Sequence, residues 1–153
     1  MNIVLIEPEI HFNTGNIGRT CVGTKTALHL VGKLGFSLDD KEIRRSGLDY
    51  WVKLDLRVHP DIESFLNAAG PRAELFFFSA EAPRDFWQAR YPQDAYLIFG
   101  KESVGLPPEL RERFRDRTYR IPHHSDIRSY NLSSSAAIVL FESLRQNPGS
   151  AHL

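Results

Sequence analysis

Between Ile121 and Ser135 the chain reads IPHHSDIRSYNLSSS, a run crowded with imidazole, hydroxyl, amide and guanidinium groups. Such side chains serve metals, covalent nucleophiles or bound cofactors, and spacing separates the three. A metal needs three or four convergent ligands. His123 and His124 are adjacent and point apart, and no Cys or carboxylate cluster completes a set, so no metal is expected. A hydrolase-type serine needs a G-x-S-x-G elbow. None occurs, and Ser133–Ser135 read as helix-start residues. No G-x-x-x-x-G-K-[ST] phosphate loop is present, and TGNIGR (14–19) carries two glycines at the wrong spacing for a dinucleotide fingerprint. Cys21 falls on the helical face of Ile17 and reads as a buried thiol. What remains is a set of glycines and small polar residues without a metal or a fixed nucleophile. That suits a cofactor that brings its own reactive group.

The elements that must position these residues alternate strand and helix. NIVLIE is a short apolar run closed by Pro8 and reads as the first strand. The helix after it has Asn13 or Thr14 as candidate N-cap. ALHLVG, LDLRVHP, AELFFFSA, AYLIFG and RTYRIP supply five more strands, with AELFFFSA, continuously apolar, expected at the centre. Helices are expected over SLDDKEIRRSG, over DIESFLNAAG with Asp61 as cap and Gly70 at its end, over PRDFWQARY, over PPELRERF and from about Asn131 to Gln146. The alternation predicts an α/β domain over 1–153, with a mostly parallel six-stranded sheet covered by helices on both faces. In such sheets ligands bind beyond the carboxyl ends of the strands. The segments there, HFNTGNIGR, SAEAP, GKESVGLP and HHSDIRSYNLSSS, hold much of the glycine and small polar content.

Composition bounds the function. A 153-residue chain that is 42% apolar and 25% charged buries a real core. Its 19 basic and 19 acidic residues give zero formal charge, so nucleic-acid binding requires a local basic patch. One cysteine excludes an intrachain disulfide. MNIVLIEPE lacks a basic leader region and is too short an apolar run for a membrane span, so a cytoplasmic location is expected.

Three segments together resemble the SPOUT class of RNA methyltransferases, in its SpoU-type branch of ribose 2′-O-methylases. They are NTGNIGRT with Asn13, Asn16 and Arg19; FGKESVGLP with Gly100, Glu102, Gly105 and Leu106; and IPHHSDIRSYNLSSSAAIVLFE with Ile121, Pro122, Ser129, Asn131, Leu132 and Ser133. Each is weak alone, and the ordered set, running from Ile3 to about Gln146, is specific. The shortness, with EPEIHFNTGNIGR and LDDKEIRRSGLDYW, is most similar to the subgroup that methylates the wobble ribose of certain tRNAs. Lys101, Tyr130 and Phe141 stand where that subgroup commonly has proline, methionine and tyrosine.

The resemblance implies a C-terminal trefoil knot (about 75–146), S-adenosylmethionine as cofactor, a tRNA substrate and a homodimer through the C-terminal helix. It implies cofactor contacts at Phe78, Gly100, Ile121, Ser129 and Leu132, those at Phe78 through the main chain. Arg19 is the expected catalytic residue. Its helix carries Ile17 and Cys21 on one face and Arg19 on the other. A guanidinium has only donors, so holding the ribose hydroxyl or a phosphate and stabilising negative charge suits it better than acting as base. Glu102 is expected to orient Arg19 or to contact RNA or cofactor, with helix capping as the plainer role. Asn131 caps the last helix and orders the cofactor loop. Lys41, Arg44, Arg45 and Arg128 border the motifs and are the favoured RNA contacts. Arg111, Arg113, Arg115, Arg117 and Arg120 are further cations, interleaved with acids as on an ordinary solvated helix. Tyr50 and Trp51 either stack on bases or join the core. The rival readings are the same chemistry on ribosomal RNA or another tRNA position, a noncatalytic knotted binding module and, more distantly, a nicotinamide-dependent oxidoreductase.

Overall fold

The structure, a computed structural model, describes residues 1–38 and 50–149. Six strands form one sheet: β1 (Asn2–Ile6), β2 (Ala27–Val31), β3 (Leu56–His59), β4 (Leu75–Phe78), β5 (Tyr96–Phe99) and β6 (Thr118–Tyr119). Their order is β3-β2-β1-β5-β4-β6 and every pairing is parallel. Among the described residues the helices are α1 (His11–Thr24), α2 (Ile62–Ala69), α3 (Pro108–Arg113) and α4 (Leu132–Gln146), with short 3-10 turns at Trp51–Lys53, Phe86–Gln88 and Arg115–Arg117.

Strand alternation divides the core in two. Ile3 and Leu5 face α1 and α4, joining Ile17, Cys21, Val139, Leu140 and Leu144. Val4 and Ile6 face α2 and α3, joining Phe65, Phe77, Leu106 and Leu110. Because helices cover both faces, each of the four strands inside the edges, β2, β1, β5 and β4, is buried on both sides, whereas the edge strand β3 is not. That is why continuous apolarity misplaced AELFFFSA. β4 lies between β5 and the two-residue β6, and the centre of the sheet is the β1–β5 pair.

The expected helix over PRDFWQARY is also absent. Only Phe86–Gln88 turns, because the β4–β5 connection is claimed from two sides. The Phe86 N–H donates to the Arg120 carbonyl (2.8 Å), and the Arg120 N–H donates to that of Arg84 (2.8 Å). On the other side Gln146, at the end of α4, donates to the Ala89 carbonyl (3.1 Å) and accepts from the Tyr91 N–H (3.0 Å). The segment from Arg120 to Gln146 therefore runs along this connection and clasps it at both ends.

A partly buried histidine pair lies under α2. His29 is 3% exposed, and its Nδ1 lies 3.0 Å from Nε2 of His59. Its Nε2 lies 3.3 Å from Asn2 Oδ1. An amide oxygen only accepts, so neutral His29 carries its proton on Nε2 and accepts from His59 through Nδ1. Burial, then His59 and Arg57, push the His29 pKa down to about 4. The unfolded chain, with an ordinary histidine pKa near 6.5, binds the proton first. Stability from this site is therefore complete above pH 6.5 and is lost as pH falls toward 4, by up to about 1.4 kcal/mol per pH unit. Thermal unfolding across pH 4–8 is expected to show this slope, and His29→Leu is expected to flatten it.

Candidate active site

The sheet reverses its winding where β5 lies beside β1, the place where an open α/β sheet offers a crevice. A cavity of about 630 Å³ opens at the carboxyl ends of β4 and β5. Its floor is Phe78 and Phe99, partners in register and stacked with ring centroids 4.9 Å apart. Its walls are the turn after β5, the segment 121–132 and the entry to α1.

The turn after β5 is folded so tightly that Gly100 admits no side chain. A Cβ there would lie 2.0 Å from the Gly105 carbonyl carbon and 2.2 Å from the Leu106 nitrogen. Lys101 and Gly105 exchange backbone hydrogen bonds of 3.2 and 2.8 Å, and Gly105 takes a φ of +73°, which glycine adopts freely.

Glu102 projects from this turn to the start of α1. It accepts from the backbone N–H groups of Glu9 (2.7 Å) and Ile10 (3.2 Å) and from Asn13 Nδ2 (3.0 Å). Helix α1 begins at His11 with Ile10 as its cap residue, and no capping bond comes from Ile10 itself. Glu102 supplies the acceptor and places a negative charge at the positive end of the helix. Neither Asn13 nor Thr14 is the cap. Asn13 is buried instead, and its Oδ1 accepts from Asn131 Nδ2 at 3.0 Å. Asn131 caps α4, its Oδ1 accepting from the Ser133 N–H (2.8 Å) and hydroxyl (2.7 Å). Glu9 returns the link, accepting from the Ser103 N–H and hydroxyl, both at 2.9 Å. These bonds to Ser103 hold the Glu9 carboxyl below its ordinary pKa. The chain Glu102–Asn13–Asn131 thus joins three segments distant in sequence at one rim.

Phe78, Gly100, Ile121, Ser129 and Leu132 all line the cavity, and so do Glu102, Asn131 and Arg128. Arg19 does not. It lies six residues along α1 from Asn13, about 9 Å of helix, on the exposed face. Its guanidinium sits over the Tyr50 ring, 5.6 Å from the centroid, and it has no ion-pair partner among the described residues. Glu102 therefore orients the start of Arg19's helix and not its side chain. Among the other arginines, Arg111 pairs with Glu81, Arg113 with Glu63, Arg117 with Glu74 and Arg120 with Asp85. Arg115 and Arg128 have no ion pair among the described residues. Lys41, Arg44 and Arg45 lie outside the described residues. Among the described residues no three His, Cys, Asp or Glu side chains are grouped to hold a metal. No described helix is long and apolar enough to cross a membrane.

Residues 1–141 match the SpoU rRNA methylase family. The chain belongs to that family. A Burkholderia cenocepacia tRNA (cytidine(34)-2′-O)-methyltransferase is 44% identical over 147 residues, 95% of this chain and 94% of its own length. A Lactobacillus gasseri protein provisionally named an RNA (cytidine(34)-2′-O)-methyltransferase is 47% identical over 148 residues, 95% of this chain and 80% of that protein. A solved structure described as giving structural insights into the 2-OH methylation of C/U34 on tRNA superposes with a TM-score of 0.92 at 40% identity, covering 97% of this chain and 96% of that one. The six-stranded parallel architecture is the SpoU fold, and the C-terminal trefoil knot belongs with it.

The cavity fits the methyl donor of SpoU methylases. Its size is that of a small-molecule site. It combines an aromatic floor, serine hydroxyls at positions 79 and 129, and backbone brought close by a glycine that no other residue replaces without collision. Two contributors escaped the sequence reading. Asn13 belongs to a motif whose spacing does not reveal the buried bridge, although its place one turn before Ile17, on the core-facing side, is a signal. Glu9 gave none, because exposed carboxylates near turns are common.

Proposed function

We propose that the protein transfers the methyl group of S-adenosylmethionine to the ribose 2′-hydroxyl of nucleotide 34 of tRNA, a cytidine or uridine. The observation that carries this reading is the union of the three motif segments at one cavity through Glu102, Asn13 and Asn131. The relatives named for position 34 support the substrate.

S-adenosylmethionine supplies an activated, sulfonium-bound methyl group. The chain's task is to aim a poor nucleophile and to manage its charge. Phe78, Gly100, Ile121, Ser129 and Leu132 would hold the cofactor. Glu102 and Asn131 are the frame that keeps the walls in register, and alignment alone supplies a large part of the acceleration in such a transfer. Arg19 donates hydrogen bonds to the ribose oxygen or the adjacent phosphate and stabilises the negative charge that develops as the hydroxyl proton leaves. Arg128, at the cavity rim, and Lys41, Arg44 and Arg45 contact the RNA backbone.

Arg19 lies away from the cavity of its own chain, so a second copy completes the site. Ile138 and Phe141 on α4, 38% and 53% exposed, and Ile10 and Phe12 at the start of α1, 45% and 60% exposed, form the apolar face for a homodimer. This reading places the protein in the cytoplasm, with the knotted segment over about 75–146. Phe141→Glu is expected to shift the protein to monomer in analytical ultracentrifugation and to lower activity by at least about tenfold, because a charge buried at the contact is costly. An active monomer would refute the shared site.

The function is tested with purified protein, labelled S-adenosylmethionine and tRNA from cells lacking the native activity. Nuclease digestion and mass spectrometry are expected to find 2′-O-methylated cytidine or uridine at position 34. Label at another tRNA position or only in ribosomal RNA would replace the substrate. No transfer despite cofactor binding would leave a binding module.

A further inference from the structure

The two glycines of TGNIGR are not a phosphate loop, and α1 as a helix does not want them. Gly18 has its reason in what packs against it, and Gly15 meets the same pair of residues through its backbone. Gly15 offers its carbonyl to the Tyr50 hydroxyl at 3.2 Å. A Cβ on Gly18 would lie 2.7 Å from the Trp51 ring. Spaced three apart, both glycines are buried on one side of α1, and the Tyr50–Trp51 pair docks there. Docked in this way, Tyr50 carries its ring to the Arg19 guanidinium, whose Cζ sits over it at 5.6 Å.

From this geometry we infer that Tyr50 is a positioning residue for Arg19, an aromatic rest that aims the guanidinium at the RNA ribose without neutralising it. The inference rests on the catalytic reading of Arg19. A carboxylate would hold Arg19 as well, but it would occupy the donors and cancel the charge that the reaction needs. An aromatic face restrains the side chain through the ring quadrupole and leaves the N–H edge open to oxygen ligands. The absence of an ion pair to Arg19 among the described residues agrees with that requirement. It also assigns a purpose to the dipeptide Tyr50–Trp51 other than base stacking: Trp51 anchors and Tyr50 aims.

The test is steady-state methylation of tRNA by Tyr50→Leu, Tyr50→Phe, Arg19→Lys and the double variant Arg19→Lys/Tyr50→Leu, with cofactor affinity and thermal unfolding measured for each. Tyr50→Leu is expected to lower kcat roughly tenfold, the scale of a cation–π contact, with KM for tRNA and cofactor affinity within about twofold. Tyr50→Phe keeps the ring and is expected to recover most of that loss. In the Arg19→Lys background Tyr50→Leu is expected to cost less than about twofold further, because two residues acting through one contact are not additive. A full tenfold loss in that background, or Tyr50→Phe as slow as Tyr50→Leu, would mean a structural role and overturn the inference. Where Tyr50→Leu does not fold, the Tyr50→Phe rate decides. Wild-type kcat in Tyr50→Leu with a crippled Arg19→Ala overturns this inference alone, whereas wild-type kcat in Arg19→Ala overturns the catalytic reading with it.

Discussion

Arg19→Ala is expected to lower kcat for 2′-O-methylation of tRNA by about a hundred- to a thousandfold, the usual cost of removing a donor from developing negative charge. Cofactor affinity is expected to stay within about twofold, because Arg19 is not among the residues lining the cavity of its own chain. Thermal stability is also expected to hold, since Arg19 is exposed and among the described residues its side chain rests only on the Tyr50 ring. Single-turnover methylation with saturating cofactor, beside a direct measurement of cofactor binding, separates the two effects. A variant that loses cofactor binding and not turnover would place Arg19 in the wrong role.

Gly100→Ala is expected to act at the opposite end of the mechanism. The added carbon meets backbone at 2.0–2.2 Å, and backbone, unlike the tip of a flexible side chain, does not yield cheaply. The turn must open by more than about 1 Å, which breaks the Lys101–Gly105 pairing and moves Glu102 away from the start of α1. Cofactor affinity is expected to fall at least about a hundredfold, and stability by about 1–3 kcal/mol, as in other overpacked sites. Gly23→Ala is the control. It lies exposed on α1 with nothing within 4 Å of the new carbon, so cofactor binding is expected to be unchanged and stability to rise slightly. Titration calorimetry and thermal unfolding of both variants check the contrast.

Much of the fold was legible because burial repeats in the sequence with the period of each element. The six strands, the helix capped by Asp61 and closed by Gly70, and the last helix capped by Asn131 all lie where alternation and capping chemistry place them. Two of the misreadings share a physical cause. PRDFWQARY has helical periodicity, yet hydrogen bonds from Arg120 and Gln146 outcompete the helix, and both partners are distant in sequence. Asn13 looked like a cap because Asn commonly is one, but the N–H groups at the entry to α1 are satisfied by a carboxylate about ninety residues later.

The candidate site divides in the same way. Sequence alone determined which segments gather around the cavity, because glycine, small hydroxyls and caps fall directly after strands, where a parallel sheet must place its ligand, and the family resemblance picked out the lining residues within them. Tertiary structure alone decided what each one does. Glu102 became the cap of a helix it does not belong to, Asn13 the buried bridge between two others, and Tyr50 the rest beneath Arg19. Local sequence constrains the torsions of neighbouring residues. A hydrogen bond or ring contact between residues thirty to a hundred apart depends on the path of the whole chain, and that path exists only once the sheet has formed.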